Sequence, residues 1–103
     1  MATYDTAKRA VNKTLSGTTA DTVVFTLPWP IIEVVNRSST TIWVTWSRDS
    51  VNSPAPTPVA GADDVEPVMA GERISIVLDR SPNTIPHVKV VGNGNNYSVV
   101  GTN

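Results

Sequence analysis

Apolar and polar positions alternate with a period of two along several short stretches of this chain, and each stretch ends in turn residues. Residues 22–27 set Val23, Phe25 and Leu27 against Thr22, Val24 and Thr26, the pattern of a half-buried strand. Residues 41–47 place Ile42, Val44 and Trp46 on one side and Thr41, Trp43, Thr45 and Ser47 on the other. In residues 73–78, Ile74, Ile76 and Leu78 oppose Arg73, Ser75 and Val77. A slip of one residue would turn each apolar set to water, so the faces of these strands are fixed. Residues 31–37 differ. The nearly continuous run Ile31-Ile32-Glu33-Val34-Val35 predicts a central strand, or one covered on both faces.

Weaker patterns fill the gaps. Residues 10–15 put Val11, Lys13 and Leu15 on one side, and residues 65–69 form a short strand whose Pro67 assigns it to an edge. Residues 87–91 point Val88 and Val90 inward. Gly92-Asn93-Gly94-Asn95 then has hairpin chemistry, because glycine and asparagine tolerate positive φ, and it predicts that 97–100 pairs back on 87–91. Residues 17–21 read as a turn, and 49–64 and 79–86 as loops, the first stiffened by Pro54, Pro56 and Pro58. Residues 1–9 are polar and lack periodicity, which makes them an extended arm.

These stretches predict an all-β fold: an antiparallel β-sandwich, Ig-like or jelly-roll, of seven or eight short strands. Residues 1–9 are its N-terminal arm and 10–103 its single domain. Phe25, Val34, Val44, Trp46, Ile74, Ile76, Val88 and Val90 are the expected core. Composition agrees. Valine, isoleucine and threonine supply roughly a third of the 103 residues, with eight prolines and six glycines between them. Branched side chains suit a pleated sheet.

The chain contains no cysteine, which excludes disulfides and thiolate metal sites. Its formal net charge is -1, with no basic run, so neither nucleic acid nor an anionic membrane is an expected partner. No apolar run follows the basic residues near the start, as a secretory leader would require, so the sequons at Asn12, Asn36 and Asn96 carry no weight.

Candidate chemistry is sparse. The single histidine, His87, has Asp79 and Ser81 nearby in sequence, but no nucleophile-elbow signature surrounds them. It reads as a polar residue on the solvent face beside Lys89. Asp49, Asp63, Asp64 and Glu66 are oxygen ligands without the spacing of a calcium loop, and read as a solvated loop. No catalytic, metal or cofactor site is expected. The tryptophans say more. Trp43 and Trp46 have an odd separation, so they lie on opposite faces of one strand. With Ile42 and Val44 inside, Trp46 belongs to the core and Trp43 faces out among Thr41 and Thr45. Trp29, between two prolines, cannot be wholly buried either. An outward indole favours burial against a partner. Trp43, Trp29, Thr41, Thr45 and, from the arm, Tyr4 are therefore the candidate interface residues.

From Ile31 onward the order of segments resembles small virion structural proteins of tailed bacteriophages. Val34-Val35-Asn36-Arg37 is followed by Ile42-Trp43-Val44-Thr45, then Gly61-Ala62-Asp63-Asp64 and Pro67-Val68-Met69-Ala70-Gly71. Val88-Lys89-Val90-Val91-Gly92-Asn93-Gly94 and Tyr97-Ser98-Val99 close the chain. The resemblance covers about two thirds of the chain, residues 1–30 lying outside it. It implies a non-enzymatic head decoration or tail protein located in the virion. Such a protein associates with itself, as a trimer, and with the major capsid protein or another virion protein. The alternative is a glycan- or receptor-binding module, with Trp29, Trp43 and Tyr97 as stacking platforms.

Overall fold

The computed structural model describes residues 2–6, 8–49, 53–78 and 86–102. Among them are nine strands: β1 (Ala2–Thr6), β2 (Ala10–Thr14), β3 (Asp21–Phe25), β4 (Ile31–Asn36), β5 (Ile42–Ser47), β6 (Glu66–Val68), β7 (Arg73–Val77), β8 (His87–Val91) and β9 (Asn96–Thr102). They form a five-stranded sheet, β1-β3-β8-β5-β6, and a four-stranded sheet, β2-β9-β4-β7. The protein is an all-β sandwich.

The antiparallel pairs β2·β9, β3·β8, β4·β7 and β5·β6 are nested one inside the next. This is one long hairpin rolled up so that its limbs alternate between the sheets, the jelly-roll arrangement. β4 is central, between β9 and β7, as its continuous apolar run requires. β6, with Pro67, lies at an edge.

The core lies between the sheets. Val23, Phe25, Ile42, Val44, Val88 and Val90 come from one side and Ile32, Val34, Ile76, Tyr97 and Val99 from the other, each at most 3% exposed. Burying each such apolar side chain contributes roughly 1.5–3 kcal/mol relative to leaving it in water.

Several expectations need correction. The arm is a ninth strand. β1 pairs parallel to β3, from Ala2 opposite Asp21 to Thr6 opposite Phe25, at the edge of its own sheet. Asp21 is the first residue of β3 rather than part of a turn. Leu27 is exposed, because β3 ends at Phe25 before the Pro28-Trp29-Pro30 segment.

The expected β8–β9 hairpin does not form. β8 and β9 lie in opposite sheets, so Val88 and Val90 meet Val99 across the core instead of beside it. The 92–95 turn is diverted by Asn95, whose Nδ2 donates to Ser38 Oγ (2.6 Å) and Thr40 Oγ1 (2.7 Å), while its Oδ1 accepts the Asn93 N–H. Gly94 still takes the positive φ foreseen for the turn, at 69°.

Trp46 is not in the core. It is 38% exposed, because β6 pairs with β5 only from Ile42 to Val44 and leaves the end of the strand open on that side. Ile74 is partly buried and packs on the core margin.

Candidate interaction site

The outer face of the five-stranded sheet was the expected interface, and the chain covers much of it itself. Register aligns Thr22, Lys89 and Thr45 in one row, and Val24, His87 and Ser47 in the next. Residues 53–58 lie against these rows as a strap. Thr45 Oγ1 donates to the Pro56 carbonyl (2.5 Å), Ser47 Oγ to the Ser53 carbonyl, and the Ala55 N–H to His87 Nε2 (2.9 Å). Ala55 and Pro58 are buried. Three prolines with fixed φ suit this segment, since a strap off the ladder needs few backbone donors. Thr45, at 5% exposure, is thus buried by its own chain.

His87 is buried beneath the strap rather than on a solvent face, at 2% exposure. An Nε2 that accepts an N–H requires the neutral ring with its proton on Nδ1. Burial pushes its pKa down, the Lys89 charge adds to this, and the Ser47 backbone and Asp49 oppose it. Asp79 and Ser81, considered as catalytic partners, lie outside the described residues.

The other candidates are spread over the molecule. Trp43 is half-buried, opposite Val91 on β8 and Pro67 on β6. Thr41 is half-buried, with its Oγ1 on Met69 Sδ at 3.8 Å. Trp29 closes one end of the sandwich, packed on the core and against Gly101. Tyr4 faces the core from β1, and Lys13 Nζ sits 4.5 Å from its ring centroid, a cation–π contact between the two sheets. A groove of about 620 Å³ opens beside this pair along β1 and β2. Trp43, Trp29 and Tyr4 therefore form no common patch, and Tyr97, a supposed stacking platform, is wholly buried.

Exposed apolar surface lies elsewhere. Trp46 lines an open cleft of about 350 Å³ with Pro56, Asp63, Asp64 and Glu66. Among the described residues no three His, Cys, Asp or Glu side chains come together to hold a metal ion. On the four-stranded sheet, Ile31, Val35 and Val100 are half-buried on the outward face, and Val77 on the edge strand is 77% exposed. The continuous apolar run at 31–35 marks β4 as central or covered on both faces; the signal left unread was the apolar residue at both parities in 99–100.

No protein-family model matches the chain, and no curated protein matches it significantly.

Proposed function

We propose that the protein is a non-enzymatic structural component of a bacteriophage virion, a capsid decoration or minor capsid protein that associates with itself and binds the capsid surface. The observation that carries this reading is the nested strand order. The jelly roll is an architecture of viral capsid and lectin domains. The segment resemblance from Ile31 onward supports the same class, and implies the trimer and the capsid partner. The physical requirements of such a role are modest: a packed sandwich, and surface free to meet a neighbour. The outward face of β4 and β7, with Ile31, Val35 and Val77, supplies such a surface.

The test is co-sedimentation with capsid shells assembled without this protein. Saturable recovery in the pellet is expected. A protein that stays in the supernatant at every ratio would sink the reading.

One observation favours the glycan-binding alternative. Trp46 offers an exposed indole beside the carboxylates of Asp63, Asp64 and Glu66. An indole face with nearby hydrogen-bond acceptors suits a sugar ring. Quenching of tryptophan fluorescence by a glycan panel, lost in Trp46→Ala and kept in Trp43→Ser, would favour it over the capsid role.

A further inference from the structure

A sandwich has four edge strands, and a strand edge with free N–H and C=O groups recruits other strands unless it is blunted. Three edges here are blunted. β6 is three residues long with Pro67 at its centre. β2 directs Lys13 inward, onto the Tyr4 ring. β1 is polar and carries Asp5. β7 reads Arg-Ile-Ser-Ile-Val: it has no proline, lysine or acid, and its one charge is at its first position.

The bonds flanking β7 fix which of its backbone groups are free. The Leu78 N–H donates to the Pro30 carbonyl (2.7 Å), and the Asn36 N–H to the Glu72 carbonyl (2.9 Å). The register pairs Ile32 with Ile76 and Val34 with Ile74. Hydrogen-bonded and non-bonded pairs alternate along an antiparallel ladder. Ile74 and Ile76 therefore bond to β4, while Arg73, Ser75 and Val77 turn their N–H and C=O groups outward. Among the described residues nothing pairs with that side of β7, and the side chains of all three are exposed.

The outward residues are spaced symmetrically about Ser75. A second β7 laid antiparallel sets Ser75 opposite Ser75 and Arg73 opposite Val77, so that all three become hydrogen-bonded pairs. The same register brings Ile74 of one copy against Ile76 of the other on the core side. It also keeps the two Arg73 side chains at opposite ends, so no like charges meet.

We propose that two copies of this chain pair through β7 about a two-fold axis at Ser75, joining their four-stranded sheets into one continuous eight-stranded sheet. The inference rests on the self-association in the proposed function and names its surface. An isologous contact closes at two copies, unlike the three-fold assembly that the resemblance implies.

The wild-type mass at about 10 μM, from native mass spectrometry and sedimentation, is expected to be that of a dimer. Ser75→Cys is expected to be joined into a covalent dimer by a short bifunctional thiol crosslinker, because hydrogen-bonded antiparallel partners have Cα atoms about 5.5 Å apart, while their Cβ atoms lie too far apart for an unstrained direct disulfide. The chain has no other cysteine to compete. Ser75→Pro removes an outward N–H and no bond to β4, and is expected to raise the dimer dissociation constant at least ~10-fold. If that variant fails to fold, Ser75→Lys replaces it as an edge-blunting change. A monomeric or trimeric wild type, no crosslink, or an undisturbed dimer in a folded Ser75→Lys variant overturns the pairing. Shell co-sedimentation is read separately. A monomer that pellets with shells removes the β7 contact and leaves the virion role, and a crosslinking dimer that does not pellet does the reverse.

Discussion

The phenol of Tyr97 on β9 donates a 2.8 Å hydrogen bond to Oδ2 of Asp21 on β3, bridging the two sheets inside the core. Both residues are at most 1% exposed. A buried carboxyl without a partner is costly, so the pair specifies how the sheets face each other as well as stabilising them.

Tyr97→Phe should cost about 1.5–3 kcal/mol, since it keeps the ring and leaves Asp21 without its donor. That corresponds to a fall in Tm of roughly 10–20 °C for a domain of this size. Asp21→Asn keeps an acceptor and should cost less. If thermal unfolding of Tyr97→Phe matches wild type, the pair has no net value. The same contact sets an alkaline limit. Burial, then the hydrogen bond and charge of Asp21, raise the Tyr97 pKa far above its ordinary 10.0. In the unfolded chain the phenol ionises near its ordinary value while the folded state holds the proton. Stability is therefore full below pH 10 and declines above it. Tyr97→Phe should flatten that decline.

His87 sets an acid limit with the opposite sign. Its folded pKa lies below the ordinary 6.5, from burial first and Lys89 second. The unfolded state then binds the extra proton, so stability is full above about pH 6.5 and falls as pH drops toward the folded pKa. Protonation also removes the acceptor that holds the Ala55 N–H. The strap at 53–58 should therefore lose hydrogen-exchange protection in acid before the core does. His87→Gln, which supplies an acceptor that does not titrate, should remove the pH dependence of Ala55 protection. Equal loss of protection in wild type and variant would exclude His87 as the trigger.

What the sequence made legible follows from the range of the forces involved. Period-two patterning depends on each residue and its immediate neighbours, so it located β3, β4, β5 and β7 and the inward set Phe25, Val34, Val44, Ile76, Val88 and Val90. It could not say which strand lies beside which, because alternation is the same whether 97–100 pairs beside 87–91 or opposite it. Asn95 decides that through bonds to Ser38 and Thr40, 57 and 55 residues away. The burial of Thr45 and His87 was illegible for a related reason. Thr45 and His87 have outward parity, and outward is exposed only if nothing returns to cover it. The returning element is a proline loop with no periodicity to announce it. Trp46 shows the limit of parity at a strand end, where an inward position has no core left to enter.

Trp46→Ala should therefore be mild in its effect on stability. A residue 38% exposed and outside the core cluster has little packing to lose, and a cost within about 1 kcal/mol is expected. Phe25→Ala, at 0% exposure, should cost about 3–5 kcal/mol. Denaturant midpoints measured on both variants check the contrast. Equal costs would mean that the indole of Trp46 is packed in solution.

Gly101 and Trp29 provide the sharpest test of how the sandwich is closed at one end. Gly101 sits opposite Ile32 on the inward face of β9. A Cβ there would overlap Cδ1 and Cγ of the Trp29 ring, which lies flush on the glycine. Trp29 packs on the core margin, and among the described residues its buried Nε1 has no hydrogen-bond partner, so apolar contact with those residues is what holds the ring. Gly101→Ala should displace the ring and cost about 1–3 kcal/mol, the usual range for overpacking. The cause separates in a double-mutant cycle. If the clash with Trp29 is responsible, Gly101→Ala should cost little in a Trp29→Ala background, giving a coupling of about 1 kcal/mol or more. Fluorescence supplies a second readout: with Trp43 and Trp46 replaced by phenylalanine, Gly101→Ala should shift the remaining emission to the red as the indole meets water. A penalty unchanged by the loss of Trp29 would place the constraint in the β9 backbone, and the ring would then be a bystander at the end of the core.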